Sequence, residues 1–253
     1  MLEFVDTHCH IHSLEYYDNP LNVLKNARQA GVGKLICIGT DYEDSLQAVK
    51  FAQNNKGVWA SIGLIPHDAK LGQKALNELE PLIKQPKVVA IGECGLDFYY
   101  THSPKQDQVK ALHFQVELAL RYGLPLIFHV RDAYEEFWPI FDKYKSIKGV
   151  LHSFSAGRNV LDQALERGLF IGLNGIVTFS KNTEQLAAFR AIPLDKLLLE
   201  TDAPYLTPVP LRGKVNESMN VVLIADFLSK LRGETLDVLS KASTANAIKL
   251  FGI

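Results

Sequence analysis

Four histidines and two carboxylates carry the residue types from which a metal site is made: His8, His10, Glu93, His129, His152 and Asp202. His8 and His10 stand two apart in the segment DTHCH. Along an extended strand, residues two apart point to the same side. Both imidazoles can then reach one cation while Cys9 points away. A His-x-His pair alone is a moderate signal, because two histidines can meet by chance. The other four residues strengthen it, since each follows a different apolar run. Six donors of mixed nitrogen and oxygen type exceed what one tetrahedral zinc accepts. They suit two divalent ions that share a carboxylate, as in hydrolases that hold paired ions about 3.5–4 Å apart. Imidazole favours Zn, Co, Fe or Ni, and carboxylate with water favours Mg or Mn. The metal therefore stays open among Mg, Mn, Zn, Co and Ni.

Each residue also has a structural reading. His129 fits a hydrogen-bonded core histidine, and Glu93 a buried carboxylate paired with Arg131. Together those readings require six separately satisfied buried polar groups. Metal binding accounts for all six at once.

The elements that must position these residues are short apolar runs ending in polar residues: LEFVDTHCH, KLICIGT, VWASIGL, VVAIGECGLD, PLIFHVRD, GVLHSFS, LFIGLNGI and KLLLETDAP. Runs apolar on both faces are the pattern of buried parallel strands. Amphipathic stretches separate them. PLNVLKNARQAG begins with a proline in its first turn and ends at Gly31, a helix start and stop. In QDQVKALHFQVELALRYG, Leu112, Val116, Ala119 and Leu120 share one helical face. Two more helices, MNVVLIADFLSKLRG and TLDVLSKASTANAIKLFG, close the chain. Eight strand–helix units in 253 residues predict an α/β fold, a TIM (β/α)8 barrel forming a single domain over residues 1–253. An open doubly wound sheet is the alternative, and eight strands without a GxGxxG turn speak against it. In a parallel barrel the strand C-termini meet on one rim, where barrel enzymes place their chemistry. On this reading strand one delivers Asp6, His8 and His10, strand four Glu93 and Asp97, and strand five His129. Strand six carries His152, and strand eight carries Glu200 and Asp202.

The composition, 47% hydrophobic and 22% charged with a formal net charge of −1, is that of a globular chain. Such a charge gives no global attraction to nucleic acid or anionic membranes. Cys9, Cys37 and Cys94 form no disulfide framework and no CxxC pair. No apolar run reaches the roughly 18 residues of a membrane span, and MLEFVDTHCH lacks the pattern of a secretory signal. A cytoplasmic protein is expected, with no membrane partner.

At the segments DTHCH (6–10), GECGLD (92–97), FHVRDA (128–133), LHSFS (151–155), ETDAPYL (200–206) and RGKVNE (212–217), the chain resembles the TatD family of metal-dependent deoxyribonucleases. These belong among the amidohydrolase-like barrels. The resemblance runs through essentially the whole chain. It implies a two-metal phosphodiesterase, in which His8 and His10 hold one ion with Asp202 at its open side. His129 and His152 would hold the other, and Glu93 would bridge both. It also implies DNA as the partner, single-stranded or at 3′ ends, cleaved 3′ to 5′. A monomer is expected. The chain departs from the family at Ile65, where the pattern G-x-H-P-H has its first histidine, and at Ser153, Ala156 and Ser218. None of these removes an implied metal ligand.

On this reading Asp202 accepts the proton of the attacking water as general base. His67, just after strand three, stabilises a phosphate oxygen or the leaving group. Asp6 fixes the orientation of a ligand ring. Arg131, Arg212 and Lys214 follow strand ends and are expected to hold flanking phosphates, with Arg158 and Lys181 placed similarly. Tyr99, Tyr100 and Tyr205 offer rings on which bases can stack. Two alternatives stand beside the nuclease. One is the same site cleaving an ester or amide, such as aminoacyl-tRNA deacylation. The other is a non-catalytic binding protein, against which the complete ligand set argues.

Overall fold

The computed structural model describes residues 2–100 and 102–253. An eight-stranded sheet, ordered β1 to β8, runs through β1 (Phe4–Cys9), β2 (Val32–Ile38), β3 (Val58–Ile62), β4 (Val88–Asp97), β5 (Leu126–Arg131), β6 (Gly149–Leu151), β7 (Phe170–Leu173) and β8 (Leu197–Leu199). Between successive strands come α1 (Pro20–Gln29), α2 (Tyr42–Asn54), α3 (Gly72–Ile83), α4 (Lys105–Tyr122), α5 (Tyr134–Phe141), α6 (Arg158–Glu166), then α7 (Ile176–Phe179) with α8 (Thr183–Ala191). The helices α9 (Val221–Arg232) and α10 (Leu236–Phe251) follow β8. This is the (β/α)8 topology of a TIM barrel, as the sequence predicts.

The chain divides into two compact units, one running to Cys37 and resuming over Ser153–Ile253, the other Ile38–His152. In the first, β1 pairs in parallel with β2, and β7 with β8. All residues of β1, β7 and β8 are buried. α1 starts as its sequence dictates: Asn19 caps it by accepting from the amides of Leu21 and Asn22, and Pro20 opens the first turn. Gly31 follows at φ 90°, a backbone state in which only glycine is unstrained.

In the second unit, β4 pairs in parallel with β3 and β5, and β5 with β6. Phe128 of β5 packs against Phe137 and Phe141 of α5, with ring centroids 5.1 and 5.9 Å away. α4 buries Leu112, Val116 and Ala119, but Leu120 is 37% exposed. At 3.6 residues per turn it falls at the margin of the apolar stripe.

Two strands are shorter than their apolar runs suggest. β6 stops at Leu151 and β8 at Leu199, so His152, Glu200 and Asp202 lie just beyond strands rather than on them. Ser153 and Asp202 have φ of 51° and 57°. A left-handed backbone cannot continue a pleated ladder, and it redirects the side chains around it. The short helix α7 is also absent from the sequence reading. Among the described residues no helix is long and apolar enough to cross a membrane.

Candidate metal centres

In the first unit, β1 supplies His8 and Cys9, with His10 directly after it. The chain beyond β8 runs beside this segment. Asp202 donates its amide to the carbonyl of His8 at 2.8 Å, Cys9 bridges to Ala203, and the His10 amide donates to Ala203 at 2.7 Å. This register faces Asp202 toward both histidines. Its Oδ1 lies 3.4 Å from His8 Nε2 and 3.6 Å from His10 Nε2. The three ligand atoms lie within 4.8 Å of one another. His8 is fully buried and His10 nearly so. Two donors about 2.1 Å from a tetrahedral ion stand about 3.4 Å apart, so the spacing fits a shared cation.

Asp6 lies behind this group. It accepts from the Thr201 amide at 2.9 Å and the Thr201 hydroxyl at 2.6 Å. Burial pushes its carboxyl up to about 7 despite these hydrogen bonds. The expectation that it orients a ligand takes a specific form here: its carboxylate holds the residue before Asp202 rather than a histidine ring.

The second unit gathers Glu93 of β4, His129 of β5 and His152 just after β6. Glu93 Oε1 lies 2.7 Å from His129 Nδ1 and 3.2 Å from His152 Nε2, and the two nitrogens are 3.3 Å apart. Glu93 and His152 are buried. Two ring nitrogens and a carboxylate oxygen at such spacing are again donors that could hold a divalent cation. Glu93 therefore faces histidines and not Arg131. The Arg131 guanidinium lies over the Tyr99 and Tyr100 rings, 3.9 and 4.8 Å from their centroids. Close approach of β4 to β5 is possible because residue 95 is glycine. A Cβ there would sit 1.9 Å from the His129 carbonyl oxygen.

Asp97, at the end of β4, is the member whose role the sequence reading missed. Its Oδ2 lies 3.0 Å from His129 Nε2 and 2.9 Å from His67 Nε2, and its side chain is fully buried. Burial alone would raise its carboxyl. Hydrogen bonds from His129, the Tyr100 amide and His67 instead hold it well below the usual carboxylate range. Burial would likewise lower His129, yet Asp97 and Glu93 carry it above its ordinary value. The signal for Asp97 was present: in a strand it shares a face with Glu93, four residues earlier.

His67 is placed beside this set, in the turn Pro66–Leu71 after β3, with its ring 5.8 Å from that of His129. Ile65 is the residue before that turn. In the first unit, Arg212 lies over the Phe179 ring at 3.9 Å and donates to the Thr207 carbonyl. Lys214 is exposed. Arg158 is paired with Asp162 on the surface of α6. Tyr205 is 47% exposed, its ring 6.3 Å from that of His10. Glu200, read from the sequence as a rim residue with no assigned role, is buried and accepts the Ser153 amide at 2.6 Å. Ser153, where the family pattern has cysteine, accepts from the Asn174 amide at 2.8 Å.

Comparison with known proteins matches residues 5–252 to a family model described as TatD related DNase. The chain is 32% identical over 251 residues to an uncharacterized metal-dependent hydrolase, YabD, of Bacillus subtilis (strain 168), covering 98% of each. It is 38% identical over 239 residues to a 3′-5′ ssDNA/RNA exonuclease, TatD, of Klebsiella pneumoniae (strain 342), covering 91% of each. Among solved structures, YJJV, a TatD homolog from Escherichia coli K12, superposes with a TM-score of 0.93 at 30% identity. That match covers 99% of this chain and 98% of that one.

Proposed function

The chain belongs to the TatD-related DNase family of metal-dependent hydrolases, and from that premise we propose that it hydrolyses phosphodiester bonds at the 3′ ends of single-stranded DNA. The observation that carries this reading is the grouping of two nitrogen–oxygen donor sets at ligand spacing, one in each unit. His8, His10 and Asp202 would hold one divalent ion, and Glu93, His129 and His152 a second, drawn from Mg, Mn, Zn, Co or Ni. A cation so bound lowers the pKa of water and offsets the charge that builds on phosphoryl oxygens.

The protein's own groups supply the rest. Asp202 takes the proton of the attacking water as general base. Its side chain, 15% exposed, is open to that water. With both ring nitrogens protonated, His67, held at Nε2 by Asp97, donates from Nδ1 toward a phosphate oxygen or the leaving group. Arg131, Arg212 and Lys214 bind flanking phosphates, a contact that carries no sequence preference. The relatives named as exonucleases act on single-stranded DNA and RNA, and DNA is the substrate proposed here. The protein works as a monomer and as one domain over residues 1–253, in the cytoplasm, where the free, buried Cys9, Cys37 and Cys94 stay reduced.

The test is a 5′-labelled single-stranded oligonucleotide incubated with purified protein. Mg2+ should give products shortened from the 3′ end, and EDTA should abolish them. His8→Ala and Asp202→Asn should do the same. Cleavage indifferent to EDTA, or surviving both substitutions, would overturn the proposal. An RNA strand run in parallel reports whether ribose is accepted.

A further inference from the structure

We propose that Asp97 is a positioning residue that fixes the ring proton of His129 on Nε2, so that the Nδ1 lone pair faces Glu93 and His152. This rests on the ion proposed above for Glu93, His129 and His152.

A neutral imidazole has one N–H and one lone pair. His129 presents Nδ1 to Glu93 at 2.7 Å and to His152 Nε2 at 3.3 Å, and Nε2 to Asp97 Oδ2 at 3.0 Å. Which nitrogen carries the proton therefore decides whether the ring can serve as a ligand on its Glu93 side.

The Asp97 carboxylate is not free to turn. Its Oδ1 accepts the backbone amides of Tyr99 and Tyr100 at 3.0 and 2.9 Å. Oδ2 is thereby left to the two imidazoles, His129 and His67. An ionised carboxylate only accepts, so each ring must offer N–H from Nε2. A carboxylate behind a metal-binding histidine is a general device for setting tautomer and ring angle. Here the backbone turn at Tyr99–Tyr100 builds it in, and Arg131 braces those two rings.

His67, Asp97 and His129 also lie close enough to hold a cation themselves. The two uses exclude each other. A His129 that gives its Nε2 lone pair to such an ion carries its proton on Nδ1 and is lost to Glu93 and His152.

The substitution Asp97→Asn separates these cases. The Tyr99 and Tyr100 amides demand an acceptor, so the new side chain must place its oxygen there and its NH2 toward His129 Nε2. That donor forces the His129 proton onto Nδ1, into the ligand position. The experiment uses full-length protein with 15N-labelled histidine, loaded with Zn2+, and locates ring protons by two-bond 15N–1H correlation. Zn2+ affinity is measured by calorimetry on the same samples.

The expected result is a proton on His129 Nε2 in the wild type. In Asp97→Asn it should move to Nδ1, with affinity for one of two Zn2+ ions weakened about 10- to 100-fold. A wild-type proton on Nδ1 overturns the proposal, whether or not the variant folds. So does a variant with unchanged proton position and affinity. A wild type that binds no Zn2+ overturns the metal assignment beneath it as well, whereas Zn2+ binding with the proton on Nδ1 overturns the role of Asp97 and takes His129 out of the Glu93 and His152 set, leaving metal binding itself intact.

Discussion

The Thr201 hydroxyl donates to Asp6 Oδ2 at 2.6 Å, tying the residue before Asp202 to the strand that carries His8. The Thr201 amide adds a second bond to the same carboxylate at 2.9 Å. Asp202 and His8 are 194 positions apart in sequence, and this pair of bonds joins the backbone bonds of Asp202 to His8 and of His10 to Ala203 in holding their chains in register beyond the end of β8. Replacing Thr201 by Val removes the hydroxyl and leaves a buried carboxylate oxygen short of a donor. A destabilisation of about 1–3 kcal/mol is expected, measured by urea unfolding. Metal affinity of the His8, His10 and Asp202 set should fall with it, while the Glu93 set is unaffected.

Asp202→Asn distinguishes ligand from base. Asn retains one oxygen of similar shape but cannot accept a proton from water. At saturating Mg2+, kcat should drop about 10²- to 10⁴-fold. Recovery of full kcat at high Mg2+ would make Asp202 a ligand only.

Removing metal should also change stability. An ion bound by the folded chain alone stabilises it by about 2.7 kcal/mol at a hundredfold excess over its Kd. Melting in EDTA should therefore occur at lower temperature than in Mn2+ or Zn2+. His10→Ala should shrink the difference, and an identical Tm in both buffers would argue against a folded-state site.

Arg212 and Lys214 are expected to act through charge. Each phosphate contact to a single strand contributes about −0.7 to the slope of log K against log salt. Lys214→Ala should reduce that slope by about this amount, with kcat retained. Arg212→Ala should do the same and also loosen the loop, because the guanidinium packs on Phe179 and bonds the Thr207 carbonyl.

His113 provides a pH dependence outside the proposed metal sets. Its Nδ1 lies 2.6 Å from the Tyr144 hydroxyl. Burial lowers its pKa below 6.5, and Lys143 adds to the effect. The unfolded chain thus binds a proton more readily than the folded one. Stability from this group is fully present above the unfolded pKa and is lost as pH falls through the folded value. NMR titration should place the His113 midpoint below 6.5, and His113→Gln should flatten the acid limb of the stability–pH curve. A midpoint above 6.5 would reverse the sign.

Much of the fold is legible in local pattern. Apolar runs separated by amphipathic stretches mark the strands and helices, and Pro20 and Gly31 punctuate α1 where the structure starts and ends it. These signals are local because side-chain alternation and backbone preference depend on near neighbours. The candidate donors were legible by type too, since imidazole and carboxylate are the side chains that bind divalent cations. What the chain order alone leaves undecided is direction. Left-handed backbone at Ser153 and Asp202 turns the chain beyond β6 and β8, and the backbone bonds of Asp202 to His8 and of His10 to Ala203, with the Asp6–Thr201 pair, aim Asp202 at His8 and His10. Asp97 reads as one more acid at a strand end until the Tyr99 and Tyr100 amides fix one oxygen and hand the other to His129 and His67. Hydrogen-bond direction is set by atoms brought together from distant segments, and only the tertiary structure decides it.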